Sequence, residues 1–387
     1  MIFFAFFRTY YLTLRKKQGF PVKPSRKLLH FVTSLTFRNP YGRLLAGGIM
    51  MKKDIRKTSN FSSLPVLIFV LCQQIFVAVA TAVLRWIQYT SHIQVSIELT
   101  TLILYILVYP IGGSLAALVF YKTRAQETGL KLRQVFRKPQ MSAGWIIKWF
   151  VITWGLSLLT SFITSLLNSF AHAVLHIQIP SPQFQMGDGF GAFAVSFIAL
   201  SIFAPLFEEI LFRSAVYRNT EIMGQTFAII FSSLMFALMH GNLIQLPYTM
   251  VMGMGFALLF AKTRSIFVPM LLHFIVNTTS VTVTTLLSHQ ANNPQLLMDQ
   301  IRNGNLIFVL TLVIYSLIVL GMIIAAIVMG IMELVRAVKS RKKLMGSIFP
   351  VSCAQKVLTF YTAPVTLITI ALMLLNFLSG FLQLTVS

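Results

Sequence analysis

Acid is what this sequence has least of. Nine Asp and Glu stand against 32 Lys and Arg in 387 residues, a formal net charge of +23. An excess of that size could mark a nucleic-acid binder, but the basic residues gather in short blocks between apolar segments. That is the pattern of a membrane protein whose cytoplasmic loops hold the positive charge, so nucleic acid is not an expected partner. Cysteine is scarce too. Cys72 falls in the first apolar segment and Cys353 in a basic loop, which implies no disulfide framework and leaves the redox compartment open. Charged residues make up only 11% of the chain and hydrophobic ones 56%, with a mean hydropathy of +0.78. A soluble domain on a single anchor is excluded by these values, and an all-α, polytopic transmembrane bundle is expected.

Nine apolar stretches are spaced along it, near 64–87, 98–120, 144–168, 190–212, 225–240, 247–261, 266–286, 305–330 and 358–382, so about eight to nine spanning helices are expected. The fifth and sixth are short for a crossing, which is tolerated where a segment is buried in protein around a cavity. Charge orients the bundle. Segment 121–143 holds Lys122, Arg124, Lys131, Arg133, Arg137 and Lys138, and 331–357 is equally basic, whereas 88–97 and 169–189 carry no Lys or Arg. The basic side and the N-terminus are therefore placed in the cytoplasm, in a multi-pass protein of the cell membrane.

The first 49 residues contain no acid and no stretch long enough to span. MIFFAFF is too short for a signal-peptide core, and its charges come after it where a secretory signal has them in front. One reading is a basic arm on an anionic membrane surface. The favoured one comes from AGGIMMKKDIRK, in which Gly47-Gly48 can be encoded by a ribosome-binding sequence just upstream of a native bacterial start at Met50 or Met51. Residues 1–49 are then an extension, and 50–387 the polytopic membrane domain.

Two of the few acids stand side by side in FAPLFEEILFRSAVYR, inside an apolar run. A carboxylate near the bilayer centre costs about 2.5–3.5 kcal/mol on insertion scales, so an intramembrane acid implies function by default. Glu209 and Arg213 are four apart and can neutralise each other as a structural pair. Glu208 lies about 100° further round the helix and needs a different partner. His240 ends FSSLMFALMH, one turn beyond Phe236, and His273 with Asn277 lies on one face of PMLLHFIVNTT. A hairpin turning near Gly224 brings Glu208 and His240 level on arms of about 24 Å.

These three motifs, EEILFR, FALMH and HFIVN, resemble the signatures of the CPBP family of intramembrane proteases, also called the Abi or type II CAAX prenyl endopeptidase family. The resemblance covers about residues 140–285, taken from where hydropathy sets the motif-bearing helices. It implies an intramembrane endopeptidase acting on a membrane-embedded or membrane-associated peptide, with Glu208 as general base holding water with His240. Glu209 and Arg213 would brace the helix, while His273 and Asn277 would polarise the scissile carbonyl or stabilise its oxyanion. Glu208, His240 and His273 could also be three ligands of a catalytic zinc. No cofactor is favoured, and zinc stays open. The resemblance equally permits a non-enzymatic role, in which the chain confers immunity to a secreted bacteriocin or regulates a membrane sensor by binding a partner.

Other polar residues read as ordinary. His172 and His176 have a ligand-like spacing at a helix end, but no acid lies near them before Asp188. Lys148 between Trp145 and Trp149 reads as a snorkelling interfacial residue. Gly253 and Gly255 have no strand before them, so they mark close helix packing and not a dinucleotide fingerprint.

Overall fold

The structure is a computed structural model that describes residues 52–176, 179, 190–291, 298–299, 302–303, 305–340, 346–347 and 352–382. The expectations for residues 1–49 and for Asp188 lie outside the described residues.

Every described element is helical. In chain order they are α1 (Lys52–Ser91), α2 (Glu98–Arg124), α3 (Ala143–Leu175), α4 (Phe190–Met223), α5 (Gln225–Met239), α6 (Leu246–Thr263), α7 (Phe267–Ala291), α8 (Leu306–Ser340), α9 (Cys353–Tyr361) and α10 (Pro364–Leu382). All nine expected apolar stretches are found in helix. Six of the helices are long and apolar enough to cross a membrane, or seven if the bent pair α9–α10 counts as one span. The count falls below eight to nine because α5 and α6, with 15 and 18 residues, do not qualify. At 1.5 Å per residue α5 reaches only about 22 Å, short of a hydrocarbon core of about 30 Å. The stretch 358–382, expected as one span, is broken by a 69° bend. Pro364 explains the break, since it lacks an N–H and disfavours helical backbone at Ala363.

Local chemistry sets the ends of the helices near the centre of the bundle. Ser142 caps α3, its hydroxyl accepting from the Trp145 N–H. The Asn242 side chain accepts from the N–H groups of Ile244 and Gln245 just ahead of α6, whose first turn carries a proline. Between α4 and α5 the chain reverses at Gly224, whose φ of +111° is strained for any residue with a Cβ. The expected hairpin is therefore present. Gly255 lets α6 meet α3 at close range, because a Cβ there would collide with the Thr153 side chain. The packing expected for this glycine is what the structure shows.

The basic segments converge at one end of the bundle. Asn219 near the end of α4 donates to the Thr58 carbonyl and the Ser62 hydroxyl of α1, and accepts from Arg124 of α2. Arg124 and Lys57 both pair with Glu127. Arg264, in the turn from α6 to α7, pairs with Glu221 at 2.6 Å and accepts through its carbonyl from Arg137 of the 121–143 segment. Lys148 differs from its expected role: it forms a 2.7 Å ion pair with Glu333 of α8. A carboxylate on a neighbouring helix meets its charge, a partner that the interfacial reading did not include.

Candidate active site

Span α4 is not a uniform helix. Its six-residue α-helical piece Ala204–Glu209, which carries both acids, lies between two π-helical turns, Phe197–Phe203 and Ile210–Tyr217. Wide turns of this kind recur at functional sites, because they re-aim side chains and loosen the backbone ladder.

Glu209 and Arg213 are wholly buried and joined at 2.9 Å, as their spacing predicts. Arg213 also donates to the Ser232 hydroxyl of α5, which in turn donates to the Phe212 carbonyl. The guanidinium lies 5.1 Å over the Phe236 ring, so this buried cation is met by acceptors and a π surface together. Phe236 is the packing hub. Its ring meets those of His240 and His273 edge-on, at centroid separations of 4.9 and 5.9 Å.

The two histidines are held differently. His240 caps the C-terminus of α5 with its Nδ1 2.8 Å from the Phe236 carbonyl. A carbonyl only accepts, so Nδ1 carries the hydrogen there, and in the neutral ring Nε2 keeps its lone pair. His273 on α7 sets Nδ1 3.1 Å from Glu209 and Nε2 3.9 Å from Glu208, bridging the two acids. Glu209 thus holds both Arg213 and His273. Its bond to the imidazole was not foreseen from sequence. Asn277 sits one turn beyond His273, and its amide donates to the Leu200 carbonyl in the first wide turn of α4 at 2.7 Å. One of its two N–H bonds is therefore committed to backbone.

Glu208, His240, His273 and Asn277 all line one cavity of about 570 Å³. Glu209 and Arg213 stand behind its wall. The acid pair is thereby divided, with one carboxylate facing the open space and the other buried among its partners. Sequence reasoning missed Tyr109 of α2, which donates a 2.8 Å hydrogen bond to Glu208 from across the cavity. The only pointer in the sequence is the spacing of Tyr105 and Tyr109 just before Pro110 in an apolar span. Among the described residues no three His, Cys, Asp or Glu side chains are arranged to hold a metal ion. His172 and His176 are exposed at the end of α3, away from this cavity, and the two cysteines are free thiols.

Residues 189–279 match the family described as type II CAAX prenyl endopeptidase Rce1-like. That segment contains all six candidate site residues. YdiL of Bacillus subtilis (strain 168), named as a putative membrane peptidase, is 39% identical over 85 residues, which cover 21% of this chain and 34% of that protein. The membrane-embedded CAAX protease MroQ of Staphylococcus aureus (strain USA300) is 24% identical over 256 residues, 64% of this chain and 96% of that one. The chain thus spans about a third of the first relative and nearly all of the second. No solved structure matches it.

Proposed function

We propose, from the match of residues 189–279 to the type II CAAX prenyl endopeptidase Rce1-like family and the likeness of the chain to a membrane-embedded CAAX protease, that the chain is an intramembrane endopeptidase. Its substrate is a membrane-embedded or membrane-associated peptide or protein. The observation that carries this reading is the convergence of Glu208, His240, His273 and Asn277 from three helices on one cavity. Amide hydrolysis needs a base, a site for developing negative charge and a proton for the leaving amine, and this set supplies each.

Glu208 is the base. Its carboxylate removes a proton from a water held with His240 Nε2, and the water oxygen bonds to the scissile carbonyl carbon, whose oxygen becomes the oxyanion. As the carbon–nitrogen bond breaks, the protonated Glu208 returns that proton to the amine. His273 and the second N–H of Asn277 are the donors for the oxyanion. That role requires a hydrogen on each ring nitrogen of His273, Nδ1–H on Glu209 and Nε2–H toward the cavity. Glu209 with Arg213 holds the helix and the His273 ring in place, and Phe236 packs without taking part. The basic end of the bundle is assigned to the cytoplasm.

The test compares membranes of cells producing the wild-type chain with those producing Glu208→Gln at equal abundance. Mass spectrometry of membrane-associated peptides is expected to find species that shift to a longer form in the variant. An identical peptide set in both would overturn the assignment.

A further inference from the structure

We propose that Tyr109 is a positioning residue for hydrolysis, holding one oxygen of Glu208 so that the other is the one that takes the proton from water. The proposal rests on the reading of Glu208 as the base.

The observation is a hydrogen bond between helices far apart in sequence. The Tyr109 hydroxyl donates to Glu208 Oε1 at 2.8 Å, while Oε2 is the oxygen nearest His273 Nε2, at 3.9 Å. A carboxylate on a flexible side chain presents either oxygen by rotating about its last bond. With Oε1 tied to α2, that rotation is closed. Oε2 remains on the side of the histidine and is free to accept from a water.

The fold brings α2 to this place by several separate means. Tyr109 sits in the wide turn Leu107–Gly113, where Pro110 removes a backbone donor. The glycines that end this turn let it wedge between two neighbours. A Cβ on Gly113 would come within 3.0 Å of the Phe207 side chain on α4, and one on Gly112 within 3.0 Å of the Cys72 side chain on α1. Phe207 immediately precedes Glu208, so the Gly113 contact sets the height of the base against α2. The Tyr109 ring is stacked on Tyr105 at 5.7 Å and packed on Phe69 at 5.8 Å. A ring fixed on two sides, with its hydroxyl on a carboxylate and its edge on the cavity, is built for orientation. A residue that only filled space would need no hydroxyl.

The experiment uses the full-length protein in detergent, with a digest of bacterial membrane proteins as the probe and new amino termini counted by mass spectrometry. Initial rates against digest concentration give apparent kcat and KM for the wild type, Tyr109→Phe, Glu208→Asp, the Tyr109→Phe/Glu208→Asp double variant and Glu208→Gln. Phe keeps the ring and its stack. Tyr109→Phe is expected to lower kcat by about ten- to a hundredfold, the scale of a lost hydrogen bond to a charged group, with KM and melting temperature unchanged. In Glu208→Asp the carboxylate is withdrawn by one methylene from the hydroxyl, so adding Tyr109→Phe should cost less than about threefold more. Wild-type kcat in Tyr109→Phe, or a loss shared with KM or with melting temperature, overturns the proposal. The same panel separates this from a failure of its premise. If Glu208→Gln cleaves at the wild-type rate, it is the reading of Glu208 as base that falls.

Discussion

Glu209 and Arg213 are fully buried and 2.9 Å apart on one turn of α4, and they border the candidate cavity from behind without opening into it. Adjacent Glu208 opens into it. Neutralising the two acids one at a time should therefore give opposite phenotypes. Glu208→Gln keeps the shape and loses the base, so activity should vanish while folded protein stays near normal. Glu209→Gln leaves a buried guanidinium short of its counter-charge, a change that costs about 3–5 kcal/mol when such a pair is broken. Its abundance and melting temperature should fall. Full cellular function in Glu208→Gln would point to the partner-binding role that the motifs also permit.

Asn277 has one amide N–H on the Leu200 carbonyl, and the proposed mechanism uses the second for the oxyanion. Asn277→Ala should lower kcat by about a hundredfold or more with little change in KM, the usual consequence of losing an oxyanion donor. Asn277→Asp should be as damaging, because a carboxylate repels the forming charge. A fully active Asp variant would assign Asn277 an accepting role and favour a metal-assisted reaction.

Metal dependence has a direct test. Hydrolysis by glutamate-activated water should survive extended dialysis against a chelator, and purified protein should hold less than one zinc per chain. Activity lost to the chelator and restored by zinc alone would make Glu208, His240 and His273 the ligands.

The native cysteines report topology. Cys353 is exposed at the start of α9, within the basic 331–357 segment. With Cys72 replaced by Ser, an impermeant thiol reagent should fail to label intact cells and should label Cys353 after the membrane is opened. Labelling from outside would reverse the orientation of the bundle.

Gly255 touches Thr153 where α6 crosses α3. Gly255→Ala forces one of the two helices to shift, and overpacking of this kind costs about 1–3 kcal/mol. A lower melting temperature in detergent is expected, with recovery in the Gly255→Ala/Thr153→Ala double variant.

The residues of the candidate site were legible because their chemistry is rare in an apolar chain. An acid pair among nine acids, with Arg213 at the right spacing, predicts the buried ion pair. Gly224 predicts the hairpin that brings His240 level with Glu208, since a reversal between two apolar helices needs a residue tolerant of positive φ. Tyr109 was not legible. Aromatic residues are common in spanning helices, and nothing in α2 alone says that its turn will press against Phe207. The Lys148–Glu333 pair was missed for a related reason: a lysine between two tryptophans fits an interfacial position, and its partner is on a helix far along the chain. The bend before Pro364 was available from proline chemistry but was overrun by continuous hydropathy, which registers apolarity and not direction.

The two wide turns that bracket the acids change the phase of α4. Each holds an additional residue relative to an α-helix and so rotates the remainder of the span by about 100°, giving about 200° over the pair. A helical wheel drawn through the whole of Phe190–Met223 therefore superimposes faces that point in different directions. Substitutions plotted on such a wheel would scatter without pattern. Removing one residue from Ile210–Tyr217 would be the sharper perturbation, since it would turn Tyr217 and Asn219 away from their partners on neighbouring helices while leaving Glu208 and Glu209 in register with α7.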